Sequence, residues 1–472
     1  MHAHLTPVTT TSDSRRSADL DDACPGHPAL ASTSAPAAVS SPAAAFSSTG
    51  RSPFSTAPAV EASSFNVVPD RRGTASLKWD FAVERGRPEG VLSLWVADMD
   101  HATAPAVTSA LLWRTRHGIF GYSEPDDAYN AALTGWFSRR YGWEVEAAWN
   151  TVTPGVVPAL ALAVRALTAP GEAVLIEEPV YYPFREVVED NGRTVAAVPL
   201  VRDADGVYRR DLAALEATIE ATASRLLLLC NPHNPVGRVW SRDELAALDE
   251  VVARHGVVVV ADEIHADLAL PGFATTPFAS LGRATAARTI TCTSPSKSFN
   301  LAGLQVANIL IADERLREAF RRELATTGYS QPNVLGLTAC RAAYEGGEAW
   351  LDALREHVAA ARAHVEARLE RIEGVEAAPC EGTYLLWLDC SGFLQTAGLT
   401  PDELDDVMLH EAGLWLDDGR IFGAGGEGFT RINVACPRTT LDAALDRLEA
   451  AVTTVTARAA ERAGRGRVAL SA

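Results

Sequence analysis

The chain has 472 residues, 47% of them hydrophobic and 22% charged, and its 42 basic and 60 acidic side chains leave a formal net charge of −18. So acidic a surface lacks the positive field that nucleic acids and anionic membranes require, and no apolar run approaches the ~20 residues of a membrane span. Seven scattered cysteines (Cys24, Cys230, Cys292, Cys340, Cys380, Cys390, Cys436) form no C-x-x-C pair, and MHAHLTPVTTTSDSRR has no apolar core of a secretory signal, so a cytoplasmic protein with reduced thiols and no metal scaffold is expected.

In chain order, residues 1–65 come first, and 41 of them are Ala, Ser, Thr or Pro. Such a stretch buries too little apolar surface to offset its ordering entropy, which predicts a disordered tail. Residues 66–109 read as an N-terminal segment that packs with a small C-terminal domain. From 110 to 340 the pattern alternates. Apolar runs at 173–180, 225–230, 256–264 and 288–294 are continuous, as in strands buried on both faces of a parallel sheet. Helical stretches at 155–168, 241–254 (Ser241 as N-cap, Glu244 three residues on) and 313–326 lie between or after them. Strand, crossover helix, strand predicts a large α/β domain with a mostly parallel sheet. Residues 341–455 read as a smaller α+β domain: a long helix at 348–372, strands at 383–389 and 430–435, and a closing helix at 439–455. Residues 456–472 read as a frayed basic tail.

Polar residues stand where four of these elements end or begin, the edge where doubly wound sheets bind ligands. Asp262 follows VVVVA, a costly place for a carboxylate unless a cation meets it. Lys297 lies in TSPSKSFN among Ser294, Ser296 and Ser298. NPHNPVG (231–237) forces a turn that can aim the Asn234 amide. Gly155 opens a helix whose first N–H groups, of Val156 and Val157, suit a phosphate. Each taken singly also has a plain reading: a cap, a surface lysine, a bare turn, an ordinary helix start.

Their order along the chain carries more. A Gly loop, P-x-Tyr-Tyr, Asn-Pro, strand Asp, Ser-x-Ser-Lys and a late strand Arg resemble the fold type I pyridoxal-5′-phosphate (PLP) enzymes of the class I/II aminotransferase superfamily. The stretches RRGTASLKWD, LWVADMDHATAPAV, FGYSEPDDAY, ADEIHADL, SPSKSFNLAGLQ and GEGFTRINVACPR are most similar to its MalY/PatB-type cystathionine β-lyases. The resemblance covers about 66–455. It implies that Lys297 forms the Schiff base with the cofactor and then serves as base, and that Asp262 pairs with the pyridine nitrogen. It also implies that Asn234 bonds the cofactor O3′ and that Tyr181, with Tyr182 as fallback, stacks on the ring. Ser294, Ser296 and the amides of Val156 and Val157 would then cup the phosphate. Tyr122 would reach the phosphate of the partner subunit, which implies a homodimer, and Arg431 would hold the substrate α-carboxylate in a bidentate fork. Two positions depart from the wider aminotransferase pattern. His265 stands where a Tyr often bonds O3′, and Gln305 where many carry a phosphate-binding Arg; both suit the β-lyase group. His233 and His255 read as turn and helix-end residues. The implied activity is a C–S β-lyase that cleaves an amino-acid thioether to thiol, pyruvate and ammonia. The alternatives are an aminotransferase on the same scaffold, or a regulatory protein that retains PLP.

Overall fold

The structure, a computed structural model, describes the backbone of residues 65–470 and the side chains of 65–463. The tail expected over 1–65 lies outside the described residues except for Phe65, and there the expectation is corrected. Phe65 is 1% exposed, with ring centroids 5.3 Å from His101, 5.6 Å from Trp350 and 5.2 Å from His357. Averaging over an Ala/Ser-rich tract hid one aromatic at its end, large enough to be buried by itself.

Seven strands form the main sheet: β1 (Asn150–Thr153), β2 (Ala173–Glu178), β3 (Thr194–Pro199), β4 (Leu226–Cys230), β5 (Val258–Asp262), β6 (Thr289–Thr293) and β7 (Ala307–Ile311). Their spatial order is β1-β7-β6-β5-β4-β2-β3. The pairs β2–β3, β2–β4, β4–β5 and β5–β6 are parallel, and β7 runs antiparallel to both of its neighbours. The apolar runs work as two-sided strands. Val174, Ile176, Leu226, Leu228 and Val260 face one core, under the helices Val156–Leu167 and Pro183–Glu189. Leu175, Leu227, Leu229, Val259 and Ala261 face another, under Leu212–Thr222 and Arg242–Arg254. Each such Leu or Val stabilises the fold by roughly 1.5–3 kcal/mol, which is why no position in these strands is spared for a polar side chain until the carboxyl end.

Local signals set the helix ends. Ser241 caps Arg242–Arg254 through its Oγ (3.2 Å from the Glu244 N–H), and Glu244 returns a bond to the Ser241 N–H at 2.9 Å. His255 closes that helix with its Nε2 2.9 Å from Glu216.

A second, antiparallel sheet holds β8 (Glu376–Ala377), β9 (Leu385–Asp389), β10 (Asp417–Asp418) and β11 (Phe429–Asn433), in the order β8-β9-β11-β10. The N-terminal strap is sewn to it. Leu92–Ser93 pairs in parallel with Leu414–Trp415, Trp95 stacks on Trp415 at 4.5 Å, and Asn433 Nδ2 donates to Val96 O (2.8 Å) and Asp98 O (2.7 Å). These bonds lay residues 95–98 beside the carboxyl edge of the main sheet. The closing helix runs Arg438–Leu470, well past 455, so a frayed tail from 456 is corrected. Residues 456–463 (TARAAERA) are rich in Ala, Arg and Glu and lack Pro, so nothing local stops the helix.

Candidate active site

The carboxyl ends of β1, β2, β4, β5 and β6 open into one cavity of about 290 Å³. Nine of the singled-out residues line it: Val156, Val157, Tyr181, Asn234, Asp262, His265, Ser294, Ser296 and Lys297. Gln305 joins them, held at φ +49° at the end of a short 3-10 turn. Arg431 reaches the cavity from the second sheet, its Nη1 donating to Asn234 Oδ1 at 2.8 Å. Tyr122 does not come to it. That side chain is 92% exposed on the loop after the helix Pro105–His117.

The floor is built by strand ends. Asn234 stands in the turn after β4, fixed by its carbonyl accepting from the Tyr181 N–H at 3.0 Å, so two strand ends are tied together. The helix Val156–Leu167 starts at Gly155 with no side-chain cap, and its third residue is Pro158, so Val156 and Val157 present unclaimed first-turn N–H groups. Ser294 caps the short turn Pro295–Ser298. Its Oγ accepts from the Ser296 N–H (3.0 Å) and donates its own hydrogen to Val306 O (2.7 Å). Ser294 therefore shapes the cup, and Ser296 supplies the freer hydroxyl. Behind Lys297, Ser298 Oγ donates to Asp267 at 2.7 Å, and Asp267 also accepts from Trp136 Nε1 (3.0 Å) and from the Tyr141 hydroxyl.

Burial shapes the charges here. The Asp262 side chain accepts one hydrogen bond, from the Ile264 N–H at 3.1 Å, and desolvation raises its carboxyl to about 7 against the pull of that N–H and of Lys297. Desolvation, then the Arg431 charge, lowers the Lys297 amine to about 8, with Asp98 and Asp262 pulling the other way. Lys297 Nζ donates to Ala97 O at 2.6 Å. Desolvation also lowers His265 to about 3, so the imidazole is neutral; its Nδ1 is buried without a partner, and its ring sits edge-on to Tyr384 at 6.2 Å. Burial pushes the Tyr181 phenol well above its ordinary range.

These features fit pyridoxal phosphate. A carboxylate pushed up for want of a cation suits a protonated ring nitrogen, and the unpartnered His265 nitrogen suits a polar group of the ring. The uncapped helix start suits the phosphate, and the softened lysine suits an aldehyde.

Several residues around the cavity have no role in the sequence reading. Ala97 accepts from both Lys297 and the Tyr384 hydroxyl (3.0 Å) through its carbonyl, a backbone role that leaves no side-chain signal. Asp98 carries a buried, unpartnered Oδ1 while its Oδ2 meets Arg71 at 2.6 Å. Its only trace was the VADMD stretch, quoted for resemblance and given no task. Asp417, paired with Arg431, had no signal in the sequence at all. His233, expected as a turn residue, is also fully buried, edge-on to Trp240 at 5.8 Å.

The chain matches the family model for aminotransferase class I and II over residues 89–448. It is 43% identical over 389 residues to the cystathionine beta-lyase PatB of Bacillus subtilis (strain 168), across 82% of this chain and 99% of that protein. It is 34% identical over 381 residues to the protein MalY of Escherichia coli (strain K12), across 80% of this chain and 96% of that one. Among solved structures, cystalysin from Treponema denticola, which contains a pyridoxal 5′-phosphate cofactor, is similar with a TM-score of 0.79 at 34% identity, covering 83% of this chain and 99% of its own. This chain belongs to the aminotransferase class I and II family.

Proposed function

We propose that this member of the class I and II aminotransferase family is a pyridoxal-phosphate-dependent C–S β-lyase of the cystathionine β-lyase type. The observation that carries the reading is one cavity holding a softened lysine and a buried carboxylate that lacks a cation, in a chain 43% identical to a cystathionine beta-lyase. When bound, the cofactor supplies an aldehyde for the substrate amine and a ring that accepts the electron pair left at Cα. The chain's own residues do the rest. Val156, Val157 and Ser296 would hold the phosphate, Asp262 would keep the ring nitrogen protonated, and Asn234 and His265 would orient the ring edge. Tyr181 would lie against the ring. Arg431 holds the substrate α-carboxylate, which places the Cα proton within reach of Lys297 Nζ. An amine with a pKa of about 8 gives up and takes protons near neutrality far more readily than an ordinary lysine. With the Cα proton on Nζ, the Cβ–S bond can break. L-Cystathionine and water then give homocysteine, pyruvate and ammonia.

The test uses stoichiometry. Purified, PLP-loaded protein is given L-cystathionine without any keto acid, and pyruvate and free thiol are followed. Many turnovers per site are expected. A single burst equal to the number of sites, resuming only on adding 2-oxoglutarate, would make the chain an aminotransferase.

We further propose a cytoplasmic homodimer with shared sites. Leu112, Trp113, Ile119, Phe120 and Tyr122 are 41–92% exposed within eleven consecutive positions, a surface that favours a partner. A second copy is the partner that would carry Tyr122 to a phosphate cup. Mixing inactive Tyr122→Ala and Lys297→Ala proteins should regenerate activity, since every mixed dimer holds one intact site; no recovery on mixing refutes shared sites.

A further inference from the structure

Arg431 stands beside the cavity with three of its five guanidinium hydrogens engaged. Nη1 donates to Asn234 Oδ1 at 2.8 Å, and Nη2 donates both to Trp95 O at 3.1 Å and to the Asp417 carboxylate, while Nε is buried without an acceptor. A guanidinium offers a carboxylate two bidentate forks, Nε with Nη2 or Nη1 with Nη2. Nη2 belongs to both, and both of its hydrogens are taken. The fork expected from the sequence is therefore closed while Asp417 stays in place.

The pairing is set by the backbone. Asp417 on β10 lies directly opposite Arg431 on β11 in the antiparallel register, and the two side chains are 7% and 2% exposed. The charged and titratable groups that act on Asp417 come from several elements. Arg431 and Arg87 favour its ionised form, while Asp405, Tyr181 and Tyr182 lie near it, with Arg87 itself bonded to Asp405 at 3.0 Å. Arg87 thus supplies a second positive charge near Asp417.

We propose that Asp417 is the resident counter-ion of the carboxylate subsite, and that a substrate binds by displacing it from Arg431 Nη2. Asp417 is then a positioning and specificity-determining residue. Only a full carboxylate can compete with another carboxylate for a buried guanidinium, because a neutral amide or ester would leave the Arg431 charge uncompensated. The inference rests on the lyase reading, in that Arg431 is taken to hold the α-carboxylate.

The probe is 3-(methylthio)propionate, a thioether acid with no amine, titrated calorimetrically into PLP-loaded protein. Asp417→Asn should bind it at least tenfold tighter than the parent, and Asp417→Glu should restore weak binding. KM for L-cystathionine should fall by a similar factor in the Asn variant. Probe binding that is unchanged or weaker in Asp417→Asn means that the carboxylate merely supports Arg431, and overturns the proposal. Should that variant not fold, a crystal structure of the parent with the probe decides. The probe on Nη2 with Asp417 swung away supports displacement, and Asp417 still on Nη2 refutes it. Pyruvate formation by the parent without a keto acid tests the lyase reading separately, so failure of one is not mistaken for failure of the other.

Discussion

Asp262→Asn removes a buried charge without changing shape, and its consequences run in opposite directions with and without cofactor. Burial raises the Asp262 carboxyl from 3.8 to about 7. At about 1.36 kcal/mol per pKa unit, holding this carboxylate ionised in the empty pocket costs the fold about 4 kcal/mol above pH 7. The sign follows from the raised folded-state pKa: its stabilising contribution is full below the unfolded value of 3.8 and is lost as pH rises through about 7. By pH 5 somewhat under half of the loss, about 1.7 kcal/mol, has accrued, and most of the remainder comes between pH 5 and 8. Cofactor-free Asp262→Asn should therefore exceed the parent in urea stability by about 4 kcal/mol at pH 8 and by less than about 2 kcal/mol at pH 5. Asn can still accept the Ile264 N–H, so that bond does not confound the comparison. With cofactor bound the order reverses in function. The ring nitrogen is no longer held protonated, and exchange of the substrate Cα hydrogen in D₂O, followed by NMR, should slow at least 100-fold. Equal stabilities at pH 8, or exchange within a few-fold of the parent, would refute the view that this carboxylate waits for a cation.

Lys297→Ala should abolish both turnover and the visible absorption of lysine-bound PLP while leaving far-UV circular dichroism unchanged; a retained visible band would move the assignment to another amine. Gly423→Ala should destabilise by about 1–3 kcal/mol in urea, because φ is +94° there and a Cβ would lie 2.4 Å from the Glu178 carboxylate. Asp267→Ala leaves the Trp136, Tyr141 and Ser298 donors unpaired beneath the lysine turn, and should cost about 3–5 kcal/mol in the same assay.

The parts of this protein that were legible in its sequence are those written in consecutive residues. Leu226–Cys230 and Val258–Asp262 are apolar on both faces because each face meets its own core, so a continuous run is the only pattern that serves. Ser241 and Glu244 cap a helix within one turn of each other. The nine cavity-lining residues follow strand ends or open the following helix, and strand ends in a parallel sheet share an edge. Reading the strands correctly therefore gathers those side chains without any knowledge of distance. The same locality explains where the reading stopped short. Ala97 acts through a carbonyl that every residue type possesses, and Phe65 was averaged away by its neighbours.

Asp417 shows the deeper reason. It is fourteen residues from Arg431, in a stretch, WLDDGR, to which the sequence reading gives no role. Only the register of β10 against β11 sets the two side chains opposite each other, and register depends on tertiary packing that no local pattern records. A catalytic set can be recognised by residue types in order, because chemistry demands those types. The condition in which the set waits, with its arginine engaged by the chain's own carboxylate, is a property of contacts. The sequence therefore names the group that should hold a substrate, while the fold determines what must leave before it can.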